Sequence, residues 1–231
     1  MKSRTPLLLL PGLLCDGRLW RDQAKGLDDI AEAAIADNTR DDSIAGMAAR
    51  ALAQMPDRFA LAGLSMGGYV AFEMARQAPE RIVRLALLDT TASPDSPERA
   101  RQRRLAMQSV AVGRFAGVTR QLLPQLVHPA HVEGPVGAAV QAMAARVGAE
   151  AYVRQQKAIL ARPDFRPWLG EIKIPTLVIV GDHDVMTPPA EARIIQQGIA
   201  GARLEIVPDC GHLPPMEKPE QVTAMLRDWL R

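Results

Sequence analysis

The sequence predicts an α/β fold with a mostly or wholly parallel sheet of about six strands. Short apolar runs alternate with helical patterns along the 231 residues. The runs are apolar throughout, which is typical of strands covered by helices on both faces. Several of them end at Gly, Pro or Asp. Alternation of this kind favours parallel strands joined by right-handed crossovers.

The elements follow in order from the apolar pattern. The predicted strands are 7–10, 33–36, 59–64, 82–88, 176–180 and 204–207, of which 33–36 is the weakest. Apolar residues at helical spacing predict helices over 44–55, over 66–77 and from Pro219 to the end of the chain. Pro219 is well placed to start its helix because proline fits the first helical position.

Residues 92–170 interrupt this alternation. Prolines open and close the segment, and its interior is helical and Arg-rich without a convincing strand. We predict a helical lid over 92–170, inserted into a core formed by 1–91 and 171–231.

Composition and charge narrow the class of protein. Hydrophobic residues make up 48% and charged residues 23%, an ordinary composition for a soluble domain. A net charge of only +2 argues against a general nucleic-acid or membrane-surface role. No apolar stretch approaches the roughly 18 residues of a membrane span. We therefore expect no nucleic acid and no membrane among its partners. Separately from composition, we expect a small-molecule substrate and a monomer or homodimer.

The start of the chain resembles a short lipoprotein signal, with basic residues followed by leucines and Cys15. Two features argue against that interpretation. Pro11-Gly12 interrupts the apolar run, and Leu14 stands where a small residue should precede the cleavage site. We expect a mature N-terminus and a cytoplasmic location.

The segment Gly63-Leu64-Ser65-Met66-Gly67 lies between a predicted strand and a predicted helix. Gly-x-Ser-x-Gly in that context is typical of a nucleophile elbow, which holds a serine hydroxyl above the sheet. The pattern alone also fits an ordinary Gly/Ser turn. The strand, the helix and the chemistry downstream favour the elbow.

Ser65 needs a base, and the base needs an orienting acid. His212 is the candidate base because it follows the last strand in a turn with a glycine. Asp184 is the candidate acid. Asp89 is its rival because it also ends a strand, while Asp182 is better suited to bonding its own loop. All of these residues follow strand ends, so we expect them to meet at one edge of the sheet.

An oxyanion formed at Ser65 needs two donors. The N–H of Met66, directly after the serine, is one candidate. The N–H of Leu13, in the glycine-bearing turn after the first strand, is the other. Trp20 and Tyr69 are candidate walls of a substrate site.

Four segments together resemble the α/β-hydrolase superfamily, nearly over the whole length. They are the Pro-Gly turn followed by Trp20, the GLSMGG elbow at 63–68, GDHDVMTPP at 181–189 and GHLPPMEKPE at 211–220. The resemblance implies a serine-nucleophile, esterase-like enzyme with Ser65, Asp184 and His212 as triad. Two departures stand out: Pro11-Gly12 replaces a common His-Gly, and the chain begins at a strand that an antiparallel hairpin usually precedes.

The expected reaction is hydrolysis of an ester or related acyl bond through an acyl-enzyme. Within the superfamily, carbon–carbon bond hydrolysis, cofactor-free haloperoxidase-like chemistry, lyase chemistry and slow-turnover ligand binding stay open as alternatives. The serine nucleophile argues against the dehalogenase and epoxide-hydrolase branches. No metal or organic cofactor is implied, since no carboxylate or cysteine cluster joins His128 and His131. Cys15 and Cys210 are expected to be buried and reduced.

The lid pattern leaves one question open. Its first helix carries Arg99, Arg101, Arg103 and Arg104, which either meet an anionic substrate or form a solvated helix face. The sequence favours the solvated face.

Overall fold

The computed structural model describes residues 4–231 and contains a six-stranded sheet in the order β2-β1-β3-β4-β5-β6. Every strand pair is parallel, as predicted. The strands are β1 Thr5–Leu10, β2 Ala31–Ile35, β3 Phe59–Leu64, β4 Ile82–Leu88, β5 Thr176–Gly181 and β6 Arg203–Val207. Residues 1–3, which are the first residues of the signal-like start, lie outside the described residues.

Ten α-helices and two 3₁₀ helices connect the strands in the described chain. The helices are α1 Arg21–Gly26, α2 Ile44–Leu52, α3 Met66–Gln77, α4 Pro97–Ala111, α5 Leu123–Leu126, α6 Pro129–Val132, α7 Pro135–Leu160, α8 Pro189–Gly198, α9 Pro214–Glu217 and α10 Pro219–Leu230. The 3₁₀ helices are Pro79–Arg81 and Arg166–Glu171. None of the helices within residues 4–231 combines the length and apolar character that crossing a bilayer requires.

The sheet separates two hydrophobic cores, one on each face. Side chains alternate along a strand, so Leu8 and Leu10 of β1 enter one core while Leu7 and Leu9 enter the other. Helices α2, α3 and α8 cover the first core, and α1 and α10 cover the second. This double cover explains why the central strands read as continuous apolar runs.

The register brings the strand ends together. Gly63 of β3 lies opposite Leu10 of β1 and Leu87 of β4, and Leu88 lies opposite Ile179 of β5. Because all strands run the same way, the loops after β1, β3, β4, β5 and β6 leave from one edge of the sheet. The candidate site residues lie in these loops.

Residues 92–170 are helical and contain no strand in the described chain. Helix α7 is kinked at Gly148, where φ is 78°. Val140 and Met143 pack into the second core, so this segment contacts the body directly. Phe165, near its end, stacks on Phe72 of α3 with ring centroids 5.2 Å apart. The stretch just before residue 170 thus contributes to the core of the body. The lid boundaries stay a prediction.

Helix α3 packs so closely on β3 that Gly63 has no room for a side chain. A Cβ there would overlap the backbone of Gly67 and Gly68. We expect Gly63→Ala to destabilise the fold by about 1–3 kcal/mol or more, because backbone cannot move aside as a side chain can. Urea unfolding measures the change.

Gly170→Ala is the matched control, since nothing lies within 4 Å of a Cβ built at Gly170. Its effect should stay within about 0.5 kcal/mol. Equal stability of the two variants would contradict the close packing of β3 and α3.

Candidate active site

Ser65 occupies the sharp turn between β3 and α3. Its backbone adopts φ 54° and ψ −116°, a sparsely populated conformation that costs energy for a residue with a side chain. Its N–H donates to the carbonyl of Leu88 at 2.9 Å, and Thr90 Oγ1 donates to its carbonyl at 2.8 Å. Strand β4 and the loop that follows it therefore hold Ser65 in this strained conformation.

Ser65, His212 and Asp184 form one hydrogen-bonded chain. Ser65 Oγ lies 2.9 Å from His212 Nε2, and His212 Nδ1 lies 2.8 Å from Asp184 Oδ2. The Asp184 side chain is fully buried and that of His212 is 6% exposed. Nδ1 donates to the carboxylate, which leaves Nε2 free to accept the serine proton. This is the arrangement that a serine nucleophile and its base require.

Asp184 is held as a carboxylate. Its Oδ1 accepts from the N–H groups of Met186 and Thr187, and its Oδ2 accepts from Thr187 Oγ1 as well as from His212. Burial by itself raises the pKa of this carboxyl, but His212 and the Thr187 bonds outweigh burial and bring the pKa below its ordinary value. The Thr187 contribution was not foreseen from the sequence, although Thr187 stands within the GDHDVMTPP segment.

Asp89, the rival acid, lies behind Asp184 and makes no hydrogen bond to His212 among residues 4–231. Its Oδ1 accepts from the Gly181 N–H at 2.9 Å, while its Oδ2 is buried without a partner among the described residues. Burial, reinforced by the Asp184 charge, raises the pKa of Asp89 well above its ordinary value. Asp89 therefore lies behind the orienting acid and does not take its place at His212.

Glu217 shapes the loop that carries His212, a role that the sequence did not reveal. Its Oε2 accepts from the N–H groups of Gly211 and His128, and its Oε1 accepts from the Leu213 N–H. The His212 N–H donates to Leu126 at 3.1 Å. The histidine loop is thus fixed from both sides by buried hydrogen bonds, partly to the 92–170 segment.

The N–H groups of Leu13 and Met66 remain available for a substrate. Met66 is the first residue of α3, and the N–H groups of the first turn of a helix have no acceptor within that helix. The Leu13 N–H has no acceptor among residues 4–231. The residue after it, Leu14, has φ 58° and donates its N–H to Gln155 Oε1 at 3.1 Å. Gln155 of α7, another residue that the sequence did not reveal, thereby fixes the conformation of the Leu13 turn.

A cavity of about 200 Å³ opens above Ser65 and His212. Its walls are mainly apolar and include Leu13, Leu14, Val118, Leu122, Leu126 and Tyr152. Tyr69 lines this cavity, as a substrate-binding residue would. Trp20 does not: it is fully buried in the second core and does not line the cavity. The prediction that Trp20 contacts the substrate is therefore wrong, because its side chain is enclosed in the second core.

Both thiols are free and buried. Cys15 borders the cavity, but burial raises the pKa of its thiol to about 12, so it stays protonated at neutral pH. Burial also raises the pKa of Cys210. Neither is a competing nucleophile, since the thiolate is the reactive form.

Comparison with known proteins gives a consistent result. A family model for the alpha/beta hydrolase fold matches residues 5–219. The chain is 31% identical over 175 residues to the pimeloyl-[acyl-carrier protein] methyl ester esterase of Nitrosomonas europaea, covering 73% of this chain and 69% of that protein.

Two solved structures share the whole fold. An esterase from Thermogutta terrifontis, solved with malate bound, has a TM-score of 0.89 at 32% identity and covers 99% of this chain and 90% of its own. The enol-lactonase from Burkholderia xenovorans LB400 has a TM-score of 0.88 at 28% identity, with 99% and 92% covered.

The fold, the strained backbone of Ser65 and the buried pair of His212 and Asp184 together define a serine hydrolase with a Ser-His-Asp triad. The chain belongs to the α/β-hydrolase family, as the four sequence segments indicated.

The two buried aspartates should respond differently to amide substitution. Asp184→Asn removes the charge that orients His212, and we expect kcat on an ester to fall about 10⁴-fold. Asp89→Asn keeps a side-chain oxygen that can accept from the Gly181 N–H and leaves the His212–Asp184 hydrogen bond in place, so kcat should fall less than about tenfold. Steady-state kinetics of both purified variants on one ester measures the two kcat values and shows which aspartate orients His212. A larger loss in Asp89→Asn would make Asp89 the orienting acid.

Asp89 should also make stability depend on pH. Its folded pKa lies above the unfolded value of 3.8, so its contribution is complete below that pH and is lost as pH rises toward the folded pKa. The slope approaches about 1.4 kcal/mol per pH unit in that window. Urea unfolding at several pH values above 4 should show the stability of the wild type falling relative to that of Asp89→Asn as the pH rises. Parallel curves would contradict a neutral Asp89.

Proposed function

We propose that the protein hydrolyses an ester or related acyl bond of a small molecule through an acyl-enzyme. The observation that carries the proposal is the continuous chain from Ser65 Oγ through His212 to Asp184 at the floor of an apolar cavity. The similar proteins named above support ester chemistry, since two of them are esterases and one is an enol-lactonase.

In the first half-reaction Ser65 Oγ attacks the substrate carbonyl while its proton moves to His212 Nε2. Asp184 stabilises the imidazolium that results and keeps the ring in its tautomer. The N–H groups of Leu13 and Met66 would receive the developing oxyanion. His212 then gives its proton to the leaving alcohol, which departs and leaves Ser65 acylated.

In the second half-reaction a water replaces the alcohol. His212 Nε2 takes a proton from that water as it attacks the acyl carbonyl, and returns the proton to Ser65 Oγ when the acid leaves. The strained backbone of Ser65 keeps the hydroxyl in the position that both steps use. A cavity of about 200 Å³ favours a small substrate, with Tyr69 on its wall.

Because the triad and both candidate N–H donors come from one chain, a single copy suffices for this reaction. A monomer or homodimer, and a cytoplasmic location without nucleic-acid partners, stay predictions. Carbon–carbon cleavage, haloperoxidase-like and lyase chemistry, and slow ligand binding are the competing functions that the same triad allows.

Ser65→Ala tests the nucleophile. We expect kcat on p-nitrophenyl esters to fall by about 10⁴-fold or more, since the hydroxyl forms the covalent intermediate. Ser109→Ala, on an exposed position of α4, is the matched control and should keep wild-type turnover. Hydrolysis that survives in Ser65→Ala would refute the mechanism.

The competing functions give different results with the wild type. Fast turnover of short esters supports the proposal, whereas a stoichiometric burst without turnover indicates a binding protein. Slow ester hydrolysis together with fast cleavage of a vinylogous diketone indicates carbon–carbon hydrolysis.

A further inference from the structure

Helix α4 divides its four arginines between two faces. Arg99 and Arg103, four residues apart and thus on the same face, line the cavity that contains Ser65 and His212. Arg101 and Arg104 are exposed to solvent. The sequence favoured a solvated helix face for all four arginines, but only Arg101 and Arg104 lie on such a face.

The cavity is otherwise free of charge. Its walls include no aspartate or glutamate within the described chain, and most are apolar. Two guanidinium groups in such surroundings interact strongly with an anion, because apolar walls screen charge less than water does. A neutral substrate would add no counter-charge to this side of the cavity.

Arg99 has no acidic partner among residues 4–231. Its side chain makes one hydrogen bond there, from Nη1 to the carbonyl of Met186 at 2.9 Å, which leaves the other guanidinium N–H groups without a protein acceptor. Met186 itself lines the cavity and lies two residues after Asp184. Arg99 is therefore fixed beside the triad, and several of its guanidinium N–H groups are available to a ligand.

Arg103 is positioned by two bonds that do not use all its donors. Its Nε donates to Asp95 at 2.6 Å and its Nη1 to Gln156 at 2.8 Å. Asp95 is shared with Arg162, whose Nη2 donates to it at 2.9 Å. Burial alone raises the pKa of Asp95, but these two arginines outweigh it and bring the pKa below its ordinary value.

Asp95 thus pairs with two guanidinium groups, those of Arg103 and Arg162, while Arg99 adds a third guanidinium that has no acidic partner among residues 4–231. Arg162 lies 4.4 Å over the ring of Tyr69, another wall residue, so the positive charge extends to the edge of the cavity. The excess is uncommon for a partly buried region, where charges are ordinarily paired. A bound anion would supply the missing counter-charge.

We propose that Arg99 and Arg103 form a carboxylate-binding subsite, so that the ester substrate carries a carboxylate on the part of the molecule that points toward α4. The planar guanidinium fork matches a carboxylate, to which it can donate two parallel hydrogen bonds. This inference rests on the proposed ester hydrolysis and names its substrate class: half-esters of small dicarboxylic acids and related anionic esters.

The test compares two esters of matched size. Monomethyl glutarate carries the carboxylate, and methyl 5-methylhexanoate has an isopropyl group in its place. For the wild type we expect kcat/KM to be at least about tenfold higher on the anionic ester. For Arg99→Met that preference should fall by about tenfold, mainly through KM, while the neutral ester changes less than about threefold.

Arg101→Met is the matched control, with the same charge change on the exposed face of the same helix. It should leave both kcat/KM values unchanged. Arg103→Met should behave as Arg99→Met does. Because Arg103 also pairs with Asp95, the melting temperature of the Arg103→Met variant is measured as well. If Arg103→Met unfolds, the result for Arg99→Met decides.

The two proposals fail in different ways. If the wild type has no preference for the anionic ester, or if Arg99→Met slows both esters equally, the carboxylate subsite is wrong while ester hydrolysis stands. If Ser65→Ala still hydrolyses both esters, the proposed function itself is wrong.

Discussion

The site depends on one buried imidazole held between two partners. His212 accepts from Ser65 on one side and donates to Asp184 on the other, and each of the three residues follows a different strand of the sheet. Only a parallel arrangement brings these loops to the same edge. The sheet is therefore the support that turns three distant segments into a single hydrogen-bonded chain.

Buried polar groups around that chain hold its loops in place. Glu217 receives three backbone N–H groups around His212, and Thr187 supports Asp184. Asp89 adds a buried carboxyl behind Asp184, and burial raises the pKa of that carboxyl. Such groups are costly to bury unless they are hydrogen bonded, so their value here lies in fixing the geometry of the catalytic loops.

The 92–170 segment takes part in the site in more ways than covering it. Gln155 fixes the turn that carries the Leu13 N–H, and Leu126 accepts from the His212 backbone. Arg99 brings a positive charge to the cavity and is tied to Met186 beside the acid. This segment therefore holds two loops of the site in place and contributes Arg99 of the proposed subsite, while the rest of the chain supplies the triad.

The sequence by itself determined the strands, the order of Ser, Asp and His, and the elbow at Ser65, because these depend on local patterns: apolar runs, glycine spacing and loop position. Only the tertiary structure decided which acid contacts His212, since Asp184 and Asp89 both follow strands at the same edge of the sheet and the sequence does not show where their carboxyls point. It also placed Trp20 in the core and separated Arg99 and Arg103 from Arg101 and Arg104. Those outcomes depend on packing between segments far apart in the chain, which no local pattern encodes.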